Sequence, residues 1–126
     1  MPDSSDWQRW ISYAQNDFAA GMKLLEEFPT NACYCFQQSG EKFLKAILIQ
    51  RGIDPTRSHD VRTLLLLVDP SISGDGIEME AARLLTFVGG RSRYPDSYSE
   101  PTVEQAQAVA LAARAIETFC LARLPS

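Results

Sequence analysis

The fold of this chain is decided by the stretch Gln38-Ser39-Gly40-Glu41-Lys42-Phe43-Leu44-Lys45-Ala46. Four polar residues recur at helical spacing and so share one side of a helix: Gln38, Glu41, Lys42 and Lys45. The opposite side carries small or apolar residues: Phe36, Gly40, Phe43 and Ile47. We expect this helix to bury its apolar side and to offer its polar side to water, a ligand or a partner.

The flanking sequence sets the limits of this helix and of the one before it. A Ser5-to-Gln8 capping box and apolar residues at helical spacing predict a first helix over about 6–27, which Pro29 ends. Thr30 or Asn31 is a suitable cap for the second helix, which we expect to end at Arg51 with Gly52 in the left-handed conformation.

Three further helices are predicted after the loop 53–58. Asp60 caps a short third helix, and a fourth, longer apolar pattern ends at Gly89-Gly90. We expect a long ordered loop over 91–101 because it holds two prolines and no helical period. A Thr102-to-Gln105 capping box opens the fifth helix. The predicted buried stripes are Val61, Leu64, Leu65 and Val68 in helix 3; Ile77, Ala81, Leu84, Leu85 and Val88 in helix 4; and Val103, Ala106, Ala110, Ala113, Ile116 and Cys120 in helix 5.

No segment alternates as a β-strand does, and no hairpin turn joins two such runs. The prediction is therefore an all-α fold: an up-and-down bundle of three long and two short helices in a single domain over residues 1–126.

Composition restricts the function. A net charge of −4 argues against broad nucleic-acid binding, although local basic patches remain. The acidic N-terminus and the lack of a long apolar run indicate a cytoplasmic protein that does not enter a membrane. The three cysteines, Cys33, Cys35 and Cys120, predict buried thiols without a disulfide.

His59 is the only histidine, so one chain cannot form a histidine pair, and no metal or cofactor is expected. It either packs against the start of helix 3 or forms an anion site with Arg57 and Arg62. The face of helix 2 leaves a similar choice. Glu41 and Lys45 suit a surface ion pair, whereas Gln38 beside two lysines suits a phosphate or a carboxylate.

Arg93 and Tyr94 form a third candidate, in the run Arg91-Ser92-Arg93-Tyr94-Pro95-Asp96. Arginine and tyrosine in a rigid loop suit binding a phosphate and stacking on a base. The alternative is structural: Arg93 pairs with a helix carboxylate and Tyr94 fills the end of the bundle.

These motifs together, in this order and spacing, resemble the HEPN domain family, named for higher eukaryotes and prokaryotes nucleotide-binding. They are the run 38–46, the turn Ser58-His59-Asp60-Val61, the loop Arg93-Tyr94-Pro95-Asp96, and the helix 1 segment Ala14-Gln15-Asn16-Asp17-Phe18. The resemblance spans nearly the whole chain. It implies a helical bundle that forms a homodimer, often beside a minimal nucleotidyltransferase in a toxin–antitoxin-like pair.

The resemblance also implies that some relatives bind nucleotides and that others are metal-independent RNases. The motif of these RNases is an arginine, then four to six residues, then a histidine. This motif is missing here. Arg51 lies too far before His59, Arg57 lies too near, and no histidine follows Arg93.

Three hypotheses follow. In the first, a non-catalytic module binds a nucleotide or a nucleotidyltransferase partner through Gln38, Glu41, Lys42, Lys45, His59, Arg93 and Tyr94. In the second, an RNase with a degenerate site cleaves RNA through His59 with Arg57 or Arg51. In the third, the polar face of helix 2 is a purely structural dimer or adaptor interface.

Overall fold

The computed structural model describes residues 6–91 and 100–125. These residues form five α-helices and a short 3-10 helix, and none of them lies in a strand, as the sequence predicts. The elements are α1 (Trp7–Leu24), α2 (Pro29–Gln50), the 3-10 helix (Pro55–Arg57), α3 (Val61–Val68), α4 (Ile77–Arg91) and α5 (Val103–Leu121).

The start of α2 differs from the prediction. Pro29 occupies the first turn and Phe28 is the N-cap, without a side-chain cap hydrogen bond, so the expected cap at Thr30 or Asn31 is wrong. The N–H groups in the first turn of a helix have no partner within the helix, so a proline, which lacks an N–H, loses no hydrogen bond there. Its fixed φ is also already helical. Pro29 therefore ends α1 and also begins α2.

Helix α2 is the central helix of the bundle and packs against each of the other four α-helices. Its buried apolar residues include Phe36, Phe43 and Ile47, all with no exposed surface. Gly21 lets α1 approach closely, because a Cβ there would lie 2.6 Å from Cε1 of Phe36. Gly40 does the same for α4, since its Cβ would lie 2.8 Å from Cδ1 of Leu85.

The connection from α2 to α3 follows the predicted chemistry. Gly52 has a φ of 76°, the left-handed conformation that glycine adopts without strain. The Asp60 carboxylate caps α3 by accepting from the N–H of Arg62 at 3.0 Å. The same carboxylate accepts from the Thr86 hydroxyl of α4 at 2.8 Å, so Asp60 fixes both helices next to His59. All four residues of the predicted α3 stripe are buried.

The last two helices confirm the capping prediction and correct two others. Thr102 and Gln105 form the predicted capping box, and all members of the α5 stripe except Val103 are buried. Helix α4 continues through Gly89-Gly90 to Arg91, since glycine weakens a helix without forbidding one. Ile77, predicted as core, has 69% of its surface exposed because it is the first residue of α4 and lies at the edge of the groove between α4 and α5.

The first helix is shorter than predicted, ending at Leu24, and its N-cap Asp6 makes no side-chain cap hydrogen bond. Ser5, the first member of the predicted capping box, and most of the predicted loop 91–101 lie outside the described residues. None of the helices in the two described ranges is long and apolar enough to cross a bilayer.

Candidate functional site

The centre of the candidate site is a buried ion pair on α2. Glu41 and Lys45 lie one turn apart, and Nζ of Lys45 is 2.8 Å from Oε2 of Glu41. Only 7% of Glu41 and 4% of Lys45 is exposed. Of the two alternatives for these residues, the surface ion pair is therefore wrong. Helix α2 packs against four other helices, and this part of its polar face is buried.

His59 covers this ion pair from the connection between α2 and α3. Its Nδ1 lies 2.8 Å from Nζ of Lys45 and 2.9 Å from Oε2 of Glu41, so the three polar atoms form a nearly equilateral triangle. The side chain of His59 remains 74% exposed. One edge of the ring thus contacts buried charge, while much of the ring faces solvent.

The backbone on either side of His59 holds the ring in place. Before it, the 3-10 helix is capped by Asp54, whose carboxylate accepts from the N–H of Thr56 at 2.9 Å. After it, Ser58 accepts from the N–H of Asp60 at 3.0 Å, and Asp60 caps α3. His59 therefore lies between two capped turns, which limits the freedom of its backbone.

Glu41 keeps its negative charge despite its burial. Burial by itself raises the pKa of a carboxyl group, but a hydrogen bond and charge from Lys45, with a hydrogen bond from Gln37, lower the pKa of Glu41 below its ordinary value of 4.5. Gln37 contributes by donating from Nε2 to Oε1 of Glu41 at 3.1 Å. We call Gln37, Glu41, Lys45 and His59 the α2 cluster.

Gln37 is the member of the α2 cluster that the sequence interpretation missed. It is 6% exposed and lies one turn before Glu41. The spacing of four residues from Gln37 to Glu41 and again to Lys45 is the signal that was available. Gln38, which was predicted, is linked to the cluster indirectly, because its Nε2 donates to Oε1 of Gln37 at 2.8 Å.

Lys42 points away from the α2 cluster and toward α1. Its Nζ lies 2.5 Å from Oδ2 of Asp17, and both side chains are 28% exposed. Asp17 belongs to the helix 1 segment on which the family resemblance was based, although its ion-pair partner was not predicted. The predicted face of α2 is therefore divided between two separate ion pairs.

The two arginines of the RNase hypothesis occupy different environments. Arg51 donates from Nη1 to the carbonyl oxygen of Val68 at 2.7 Å, which joins the end of α2 to the end of α3. Arg57 is exposed on the 3-10 helix, two residues from His59. Arg51 is also exposed, but its hydrogen bond to Val68 holds it at the ends of α2 and α3, whereas Arg57 lies close to His59 in the chain. Arg93 and Tyr94 lie outside the described residues.

The described residues contain no group of histidine, cysteine and acidic side chains that could hold a metal ion. The three cysteines are free thiols, as predicted. Cys33 and Cys120 are buried, but Cys35 is partly exposed, so the prediction of a buried thiol is wrong for Cys35. Burial raises the pKa of Cys33 to about 11 and also raises that of Cys120, so neither thiol is a reactive nucleophile.

Comparison with known proteins places the chain in a family. The model of the HEPN domain matches residues 7–123. The crystal structure of TT1696 from Thermus thermophilus is 23% identical, with a TM-score of 0.82 over 94% of this chain and 98% of that one. ST0689, an archaeal HEPN homologue, is 24% identical, with a TM-score of 0.68 over 98% of each chain.

No curated protein matches the chain. The two solved structures confirm the all-α fold, and the family model covers all five helices up to residue 123. The chain belongs to the HEPN domain family.

Proposed function

We propose that this protein is a non-catalytic HEPN module that binds the phosphate groups of a nucleotide at His59. The observation that carries the proposal is the α2 cluster, in which a buried ion pair supports a ring that is 74% exposed. Buried charge is costly to fold and is enriched at functional sites. A ring held in this way is already oriented for a ligand, which lowers the entropic cost of binding.

The ligand is inferred from the charges next to the ring. Arg57 supplies a guanidinium group two residues from His59, and such groups bind phosphate oxygens in pairs of hydrogen bonds. Within the α2 cluster, the charges of Glu41 and Lys45 cancel, so an incoming anion meets no net negative charge there. Arg93 and Tyr94, which lie outside the described residues, stay candidates from their chemistry alone: a guanidinium group suits a phosphate and a tyrosine ring suits stacking on a base.

Calorimetric titration with ATP and GTP at moderate salt tests this proposal. We expect His59→Ala and Arg57→Ala each to weaken binding about tenfold, the effect of losing one hydrogen bond to a charged group. Arg9→Ala is the control, because Arg9 is exposed in the first turn of α1 and is assigned no contact with the nucleotide. A wild-type protein that binds neither nucleotide would contradict the proposal.

The RNase hypothesis remains the second candidate because Nδ1 of His59 lies 2.9 Å from a carboxylate oxygen, as in many general acid–base sites. Against it, Arg51 is bound to the carbonyl of Val68. Incubation of the protein with single-stranded RNA in EDTA separates the candidates. Cleavage that is lost in His59→Ala would favour the RNase.

We also propose that the protein acts beside a minimal nucleotidyltransferase in a toxin–antitoxin-like pair, on the basis of its family. Co-purification with the product of a neighbouring nucleotidyltransferase gene tests this assembly. A mixture in which the two proteins elute separately at micromolar concentration would count against it.

In the third hypothesis the polar face of α2 is the dimer interface, and the burial of Glu41 and Lys45 argues against it. We assign the proposed homodimer instead to an apolar groove of about 630 Å³ between α4 and α5. Leu111 of this groove is 72% exposed. Glu80 and Arg83 line the same groove, so a two-fold axis can bring Glu80 of each copy to Arg83 of the other. A Leu111→Glu variant should sediment as a monomer, and a wild-type monomer would contradict the assignment.

A further inference from the structure

The contact between Lys45 and His59 has a consequence for the chemistry of the ring. Nδ1 of His59 lies within hydrogen-bond distance of both a donor, Nζ of Lys45, and an acceptor, Oε2 of Glu41. One ring nitrogen has either a proton or a lone pair in this direction. It can therefore satisfy only one of the two neighbours, and in the neutral ring the choice sets the state of the other nitrogen, Nε2.

Counting hydrogen bonds decides between the neighbours. Even if His59 donates nothing, each oxygen of the Glu41 carboxylate has a donor. Gln37 donates to Oε1 at 3.1 Å, and Lys45 donates to Oε2 at 2.8 Å. The Lys45 ammonium group has three N–H bonds, and its side chain is only 5% exposed. Within the described ranges, Oε2 of Glu41 and Nδ1 of His59 are the acceptors it meets.

Lys45 therefore needs the lone pair of Nδ1 more than Glu41 needs a third donor, because an unpaired buried donor is costly. A protonated Nδ1 would also direct an N–H bond toward an ammonium group 2.8 Å away. In the other state the Nδ1 lone pair lies 2.9 Å from Oε2 of Glu41, but Lys45 already balances the charge on that oxygen at 2.8 Å. The unpaired donor and the repulsion between the two N–H groups therefore outweigh this contact, which leaves the proton on Nε2.

We infer that Lys45 holds His59 in the Nε2–H tautomer, so that His59 meets a ligand as a hydrogen-bond donor and not as a general base. Lys45 is then a positioning residue that acts through the ring without touching the ligand. An exposed N–H donor beside Arg57 suits an oxygen acceptor of a phosphate group. The assignment of the ligand rests on the proposed function, whereas the tautomer does not.

The tautomer can be measured directly because His59 is the only histidine in the chain. Protonated and unprotonated ring nitrogens give well-separated ¹⁵N resonances, so a ¹⁵N-histidine-labelled sample at pH 8 reports one ring. We expect Nε2 to be protonated and Nδ1 to be unprotonated in the wild-type protein. The opposite assignment, or an even mixture of the two tautomers, would overturn the inference.

Variants of α2 test the role assigned to Lys45. In Lys45→Met the lone pair of Nδ1 loses its donor, and we expect the proton to move to Nδ1, where it bonds to Glu41. Lys45→Arg keeps a donor and should retain the wild-type tautomer. Lys42→Met is the matched control, since Lys42 lies on the same helix but pairs with Asp17. An unchanged tautomer in folded Lys45→Met would show that another group holds the ring.

The proposed hydrogen bond from Nε2 of His59 to a ligand is tested separately. Adding ATP to the labelled wild-type protein should shift the proton on Nε2, and His59→Gln, which keeps an N–H donor, should bind ATP about tenfold more tightly than His59→Phe. No shift at millimolar ATP would remove the ligand and the proposed function while leaving the measured tautomer in place. Equal binding by the two variants would show that His59 donates no hydrogen bond to the ligand.

Discussion

The two ion pairs of α2 are similar in sequence and different in environment. Lys42 and Lys45 lie three residues apart on the same helix, and each meets one carboxylate. The pair of Lys45 with Glu41 is almost fully buried, at 5% and 9% exposure of the side chains, whereas the pair of Lys42 with Asp17 is exposed at 28% on both sides. Burial, and not the residue types, therefore decides what each pair contributes.

The largest expected difference is in stability. Glu41→Gln leaves the Lys45 ammonium group buried without its counter-charge, which should lower the free energy of unfolding by about 3–5 kcal/mol. Asp17→Asn removes the corresponding partner of Lys42, where water replaces the lost contact, and should cost only about 0–1 kcal/mol. Urea unfolding of both variants measures the two values.

The double variant Glu41→Gln/Lys45→Met is the control for that comparison. Because it removes both buried charges, it should recover most of the stability that Glu41→Gln loses. Similar costs for Glu41→Gln and Asp17→Asn would show that burial does not separate the two ion pairs.

A smaller effect is expected in the dependence of stability on pH. The pKa of Glu41 is lowered in the folded protein, so its carboxylate contributes stability above the ordinary value of 4.5. This contribution is lost as the pH falls through the lower pKa of the folded state. Between about pH 6 and pH 3 the wild-type protein should therefore lose more stability than Glu41→Gln/Lys45→Met. Parallel losses in the two proteins would exclude Glu41 as a source of acid sensitivity.

The smallest effect concerns the exposed pair and uses Cys35 as a reporter. Burial raises the pKa of this thiol, Asp17 raises it further and Lys42 lowers it. Asp17→Asn should therefore speed the reaction of Cys35 with a thiol reagent by about twofold to threefold, and Lys42→Met should slow it by a similar factor. Glu41→Gln/Lys45→Met serves as the control and should leave the rate unchanged. Equal rates in all four proteins would show that the exposed charges are fully screened.

Local chemistry explains which parts of the fold were predictable from the sequence. Asp60, Thr102 and Gly52 act within a few residues of themselves, so their roles as caps and as a left-handed turn follow from residue type and position. The buried stripe of α3 was predictable for the same reason. Pro29 was misjudged because one proline both ends a helix and begins the next.

The environment of α2 was not predictable from periodicity. A period of 3.6 residues places Glu41 and Lys45 on one face, but it does not say whether water or another element covers that face. The answer depends on the connection that brings His59 back to α2, fourteen residues after Lys45. His59 was named as a candidate from its chemistry, and its contact with the ion pair required the tertiary structure.

Gly21 also limits how far the sequence can diverge in this fold. A side chain at residue 21 would meet the ring of Phe36 at 2.6 Å, and this ring has no exposed surface and packs 5.3 Å from the ring of Phe18. The ring therefore has no space to move into. At Gly40 the obstacle is a single methyl group, Cδ1 at the end of the flexible Leu85 side chain, and not an aromatic ring. Among chains that keep this spacing of α1 and α2, residue 21 should remain glycine, while residue 40 can drift to alanine.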